Sequence, residues 1–399
     1  MTLSDLLPGP AFMPDEFGQR VSRLKSKMEA GGLDALLVFD PANINYLTGY
    51  EARSYYTPQC VLVRRDRLEP IWLGREMDVP NGHWTTHLDR SSFVSYPDNY
   101  ISDPSLHAMS YIAGWLAEQG LGGSAIGIEA DAPTCTHTAY QALADGLPGA
   151  KLLPGDMLVN HLRVVKSPAE LQYMREAGAI VSRAMQVAAE VIRPGVRECD
   201  AAAEIYKTLI AGLPGAGGDV PIAPNMPAGL RVNAPHVSWT DKPYPAEGSA
   251  YLELAGCRHR YHVGLTRTVA LGKPSREMLA MADACGSALE AALSVLRSGV
   301  TCDEVATVCE EQLALRGYKS QSRRGYSIGI GYPTGAWNDK AVSIVKGDQT
   351  PIAAGTAIHI IMPLWSEGSS YMISETAAVT EDGHELLSTA PRSIIEVYS

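Results

Sequence analysis

The sequence predicts an α/β N-terminal domain, residues 1–160, followed by an α+β C-terminal domain, residues 161–399, with an internal pseudo-twofold repeat. Three observations predict it. The 399 residues exceed what one ordinary core organises, so two domains are expected. Short apolar runs alternate with helical segments in the first part. A segment of the second part occurs twice.

In the first part, "DALLVFD" (34–40) is a strand-like apolar run, and "DPANINYLTGY" after it reads as a turn leading into an aromatic strand. "QCVLVRR" and "EPIWLG" read as further strands. "LHAMSYIAGWLAEQG" reads as an amphipathic helix stopped by Gly120, and "SAIGIEA" as another strand. "GLPGAKLLPGDMLVNHLRVVK" is linker-like. At "SPAEL", Ser167 and Glu170 form a capping box with Pro168 at the first helical position. Behind it Leu171, Met174, Ala177, Val181, Met185, Ala188 and Ile192 recur at helical spacing, so a long helix opens the second domain.

The repeat superimposes 188–204 on 292–308. It matches Arg193 with Arg297, Gly195 with Gly299, Val196 with Val300 and Ala202 with Ala306. Each copy is an apolar helix ending at a glycine with a second helix beyond. A duplicated unit with an active site between its halves is the expectation.

Composition removes several functions. A net charge of −11 without a Lys/Arg cluster argues against nucleic acid, whose phosphates need a basic face. No run of about 18 apolar residues suggests a membrane span. The first twenty residues lack the basic and apolar regions of a secretion signal. Seven scattered cysteines form no CxxC pair and no disulfide framework, so a reducing cytoplasm is the expected location.

Four stretches of the second part place polar groups among apolar ones: 233–239, 251–272, 323–339 and 358–383. Glu253 in "AYLELAG" and Glu375 in "MISETAAV" are the firmest candidates, because burying an unpaired carboxylate costs several kcal/mol. His259 and His262 differ by an odd number, so on one strand they would face opposite sides, and they read as scaffold.

"YLELAGCRHRYHVGLTRT" resembles the D-x-G…S-D-x-T-R-T strand pair of the Xaa-Pro peptidase, methionine aminopeptidase and creatinase family. "PHVSW" resembles its P-H-Y segment, "GYSIGIG" its G-H-G-I-G, "AAGTAIHIIMPLW" its G-M-V-F-T-I-E-P strand, and "ISETAAVTEDG" its I-E-D-T-V-L-V-T-E-D-G. "DPANINYLTGY" fits the creatinase-type first domain. The resemblance covers nearly the whole chain. It implies a creatinase-type α/β N-terminal domain and a pita-bread C-terminal domain.

It also implies a site. Glu253 falls on the family's first metal-binding aspartate and Gly264 on the second. Tyr326 replaces the metal-binding histidine, an apolar residue near Met362 the fourth ligand, and Glu375 stands at or beside the fifth. His236 falls on the active-site histidine. Members that use metal hold two divalent ions with two aspartates, a histidine and two glutamates. Two carboxylates and a phenol are a poor cage for such ions, so no metal and no cofactor are expected.

Without a Lewis acid, a substrate carrying its own positive charge at the reacting carbon suits the site better than a peptide. The resemblance to creatinase, the metal-free branch, implies that logic. Within it the stretches are most similar to hydrolases that open ectoine, a cyclic amidinium with a carboxylate, to N-acetyl-2,4-diaminobutyrate. In that scheme Glu253 attacks the amidine carbon or activates water. His236 moves the proton, and Glu375 holds the amidinium or orients His236. Losing any one should cut turnover about 10²-fold or more.

Tyr326, Trp337, Trp365, Tyr55 and Arg267 are the substrate-binding candidates, Arg267 also reading as structural. The resemblance further implies a homodimer whose first domain reaches the partner's site. Hydroxyectoine is a possible second substrate, and a deacetylase would act on the product. The competing expectations are a guanidino-compound hydrolase, a metal-dependent Xaa-Pro dipeptidase and a non-catalytic binding module.

Overall fold

The computed structural model describes residues 9–333, 337–366 and 369–398. The chain divides into two compact units between Arg163 and Val164.

The first unit is built on one mixed sheet. Its strands are β1 (Ala35–Val38), β2 (Cys60–Arg64), β3 (Ile71–Arg75), β4 (Phe93–Tyr96), β5 (Ala125–Ile128) and β6 (Lys151–Pro154), in the order β4-β3-β2-β1-β5-β6. β1, β2 and β3 pair antiparallel, whereas β1–β5, β5–β6 and β3–β4 are parallel. The segment expected to be a turn and an aromatic strand is instead a helix, Pro41–Thr48. Asp40 caps it by accepting from the Ala42 amide, Pro41 opens it, and Gly49 closes it at φ 80°. Those end signals outweigh the β propensity of Ile44 and Tyr46. The linker-like stretch also contains structure, namely β6 and a helix at Leu158–Arg163.

The second unit opens with the helix Pro168–Val191, whose capping box forms as expected. Gly195 and Gly299 share φ 85°, and each is followed by a helix, Glu198–Ala211 and Cys302–Leu315. The repeated segment therefore takes the same turn twice. A further long helix, Arg276–Val295, is long and apolar enough to cross a membrane by length and composition among the described residues. Its Met281, Ala284, Ala288 and Ala292 are buried in one core with Ile358, Ile360 and Ile373.

Among the described residues eight strands complete the unit: β7 (Gly248–Arg258), β8 (Tyr261–Leu271), β9 (Gly325–Ile328), β10 (Asn338–Ile344), β11 (Ala357–Ser366), β12 (Ser369–Val379), β13 (His384–Leu386) and β14 (Ile395–Val397). They form two ladders, β14-β8-β7 and β10-β9-β11-β12-β13. Side chains join the ladders where β8 meets β12. Ser374 Oγ accepts from the Thr266 amide at 2.7 Å, Thr268 Oγ1 donates to the Met372 carbonyl at 2.9 Å, and Thr376 Oγ1 donates to the Gly264 carbonyl at 2.8 Å. Gly256 lets the first long helix approach, since a Cβ there would lie 1.9 Å from the Ala177 carbonyl oxygen.

Candidate active site

Strand alternation and register decide which side chains share a face. Glu253 pairs with Thr266, Thr266 bonds Ser374, and Ser374 pairs with Ile361, making one rung across β7, β8, β12 and β11. The next rung on the same face runs Ala255, Gly264, Thr376, His359, Tyr326. The opposite face carries Leu252, Arg267, Glu375 and Ile360 and packs on the helices.

Glu253 is 7% exposed. Asn225 Nδ2 donates to its Oε2 at 2.7 Å, and the two residues also exchange backbone hydrogen bonds. Its Oε1 has no protein partner among the described residues. One carboxylate oxygen is thus anchored and the other left to act. Burial raises the carboxyl's pKa, while the Asn225 bond and nearby His236 pull it partly back. Asn225, in "APNMPAG", was not singled out from the sequence; an amide between two prolines is its only signal.

His236 is exposed, on the loop before β7. The loop is pinned on both sides of it. Tyr251 donates to the Ala234 carbonyl at 3.2 Å, and the Met226 amide to the Val237 carbonyl at 3.1 Å. Glu198 takes the Thr240 amide at 2.7 Å and pairs with Arg231, which donates to the Ser238 carbonyl. The loop backbone is therefore fixed, and the imidazole is open to solvent and near enough to Glu253 to act on its charge.

Tyr326 accepts from Trp337 Nε1 at 2.9 Å, which leaves its own proton free to point elsewhere. The Arg323 guanidinium lies 4.1 Å over its ring. Burial, with Glu253 nearby, pushes the phenol up to about 12, so it acts as a donor. Tyr326 and Trp337 both flank His359, with ring centroids 5.5 and 6.2 Å away.

His359 stands next to this pair on β11. It is fully buried, and its Nδ1 lies 3.0 Å from Thr376 Oγ1. That hydroxyl donates to Gly264, so it accepts from Nδ1–H, and Nε2 is the bare nitrogen. Nε2 has no hydrogen-bond partner among the described residues. Burial drops the imidazole to about 3, so it stays neutral.

Glu375 is not brought to this site. It lies on the helix-facing side, where Arg267 Nη2, Arg392 Nε and the Ser388 hydroxyl all donate to its carboxylate. The site-facing residue is its neighbour Ser374. The register makes the same correction at the fourth position. Met362 is buried in the helix-side core, and Ile361 faces the site. Arg267 also donates to the carbonyls of Thr266, Ser374, Ala390 and Pro391, so its guanidinium is committed to the scaffold and not to substrate.

The remaining candidates are spread out. Trp365, 37% exposed, stands four residues beyond Ile361, roughly 13 Å along the strand. Tyr55 is buried within the first unit; Tyr56 beside it is 81% exposed. His262 is a buried scaffold residue, its Nδ1 2.7 Å from the Arg260 carbonyl and its Nε2 accepting from the Ile222 amide. His259 is not on a strand: with Arg260 it forms the two-residue hairpin turn, at φ 47° and 68°.

The two-metal ligand set of the fold does not fit these residues. Its positions hold Glu253, Gly264, Tyr326, Ile361 and Ser374, which is one carboxylate. No group of three His, Cys, Asp or Glu able to hold an ion exists among the described residues.

Residues 172–381 match the model of metallopeptidase family M24, and residues 20–165 that of the creatinase/prolidase N-terminal domain. The chain is 38% identical to an uncharacterized hydrolase/peptidase of Sinorhizobium fredii and 34% identical to the ectoine hydrolase of Halomonas elongata. Each alignment covers 96% of this chain and 98% of the relative. Among solved structures, dipeptidase PepE of Mycobacterium ulcerans superimposes with a TM-score of 0.81 at 21% identity, over 97% of this chain and all of that one. The Xaa-Pro dipeptidase of Bacillus anthracis gives 0.78 at 21%, over 96% of this chain and all of that one. The chain belongs to metallopeptidase family M24: it is a hydrolase with a pita-bread C-terminal domain behind a creatinase/prolidase N-terminal domain.

Proposed function

We propose that this hydrolase opens the cyclic amidine of ectoine to N-acetyl-2,4-diaminobutyrate without a catalytic metal. The observation that carries the reading is the single buried carboxylate Glu253, with one oxygen bound to Asn225 and the other free, in a site whose other four ligand positions are uncharged at neutral pH. A buried acid with a raised pKa is suited to a monocation, because the incoming amidinium restores its charge. The 34% identity to an ectoine hydrolase supports the same substrate.

Glu253 Oε1 bonds to the amidine carbon, or takes a proton from a water that does. A ring C–N bond then breaks, and His236 gives the departing nitrogen its proton. On the covalent route water next adds to the same carbon, His236 takes the water's proton, and the carboxylate leaves. Water is consumed and net charge is unchanged. Tyr326, its oxygen occupied by Trp337, donates to the substrate.

The assembly that goes with this reading is a homodimer whose first domain reaches the partner's site, with Tyr56 the side chain its loop turns outward. Sedimentation would show a dimer. For the reaction, NMR of ectoine incubated with purified protein is expected to show ring opening by wild type and at least about 10²-fold less by Glu253→Gln. Equal turnover by the two would remove Glu253 from the mechanism.

A further inference from the structure

Arg324 stands just before β9 and is as buried as Arg267, at 1% exposure. The two guanidinium groups differ in their company. Arg267 has Glu375 and four carbonyls, whereas Arg324 has one acceptor, the Ser320 carbonyl, 2.7 Å from Nη2. Its Nε and Nη1 have no partner, and no carboxylate pairs with it among the described residues. The buried thiols Cys285 and Cys309 are near it and carry no counter-charge at neutral pH. A buried, unpaired cation is costly, and an Arg cannot shed its proton to escape that cost.

The residue lines a cavity of about 720 Å³ on the helix side of the sheet, bounded by the helix Cys302–Leu315 and the 318–321 segment. Lys319 and Lys346 stand on the same lining, with the Thr307 and Ser320 hydroxyls. Glu310 and Glu311 also line it; Glu310 lies 3.5 Å from Lys346, and neither pairs with Arg324.

We propose that this cavity binds a small oxyanion, a phosphate or a carboxylate, which supplies the counter-charge that Arg324 lacks. The uncompensated guanidinium charge beside the cavity attracts either anion, and the two exposed lysines on the lining supply donors at the opening. The site is separate from Glu253 and independent of the reaction assigned to it.

The test is calorimetric titration of the full-length protein with inorganic phosphate and, separately, succinate, in a chloride background of matched ionic strength. Saturable binding of either is expected, weakened about tenfold or more in Arg324→Met. Should that variant fail to fold, the exposed double variant Lys319→Ala/Lys346→Ala takes its place, with binding weakened and its loss with added salt shallower than in wild type. Phosphate binding alone identifies a phosphoryl ligand, and succinate binding alone a carboxylate. Wild type that binds neither, or binding unchanged in the folded variants, overturns the proposal.

Discussion

Gly264 and His359 share one space: a Cβ on residue 264 would lie 2.9 Å from His359 Cε1 and 3.0 Å from Nδ1. The position where a metal-dependent relative carries its second aspartate is therefore filled by a neutral imidazole from the neighbouring ladder. Gly264→Ala should destabilise by about 1–3 kcal/mol through overpacking. Gly264→Asp should not create a metal site, because Tyr326, Ile361 and Ser374 still offer no ligand set. Thermal melts and elemental analysis of the two variants check this.

Glu253→Gln has a stability consequence beside its kinetic one. Burial raises the folded-state pKa of Glu253, so the folded protein holds this proton more tightly than the unfolded chain. The penalty of charging it is absent below the unfolded pKa and complete above the folded one. The variant should melt higher than wild type at pH 8 and equally near pH 3. A lower melting temperature at pH 8 would mean the carboxylate stabilises the fold.

His262 and His359 should report the same burial with the opposite sign. Their imidazoles are lowered to about 4 and about 3 from an ordinary 6.5. Across that window the unfolded chain binds more protons, so stability should fall as pH drops through 6.5 toward 3. Histidine ring signals in NMR should include two that do not titrate above pH 5.

Glu375 belongs to the scaffold. Glu375→Ala leaves Arg267 buried without its carboxylate and should cost about 3–5 kcal/mol. The protein that remains folded should keep an unchanged KM. A selective rise in KM at unchanged melting temperature would return Glu375 to the site.

Glu253 and Tyr326 were legible as positions on one face because each sits in a motif with a fixed place in the order of strands. The motifs fixed the fifth position only as at or beside Glu375 and the fourth only as an apolar residue near Met362; the register selects Ser374 and Ile361. Strand periodicity is two, so one residue of alignment exchanges the two faces and moves Glu375 from the site to the scaffold. His359 and Asn225 were not assigned roles for a different reason. Their functions come from neighbours far along the chain, Gly264 and Thr376 for one and Glu253 for the other. Helix ends were legible wherever caps were, as at Ser167. At Asp40 and Pro41 the same signals were present but were outweighed in the reading by aromatic residues.

The most direct test uses one purified sample, treated with excess chelator and verified by elemental analysis, then given ectoine, creatine and a Xaa-Pro dipeptide in parallel with NMR readout. Ring opening of ectoine at the untreated rate, with the dipeptide intact, is the expected result. Cleavage of the dipeptide that disappears with the chelator would contradict the account.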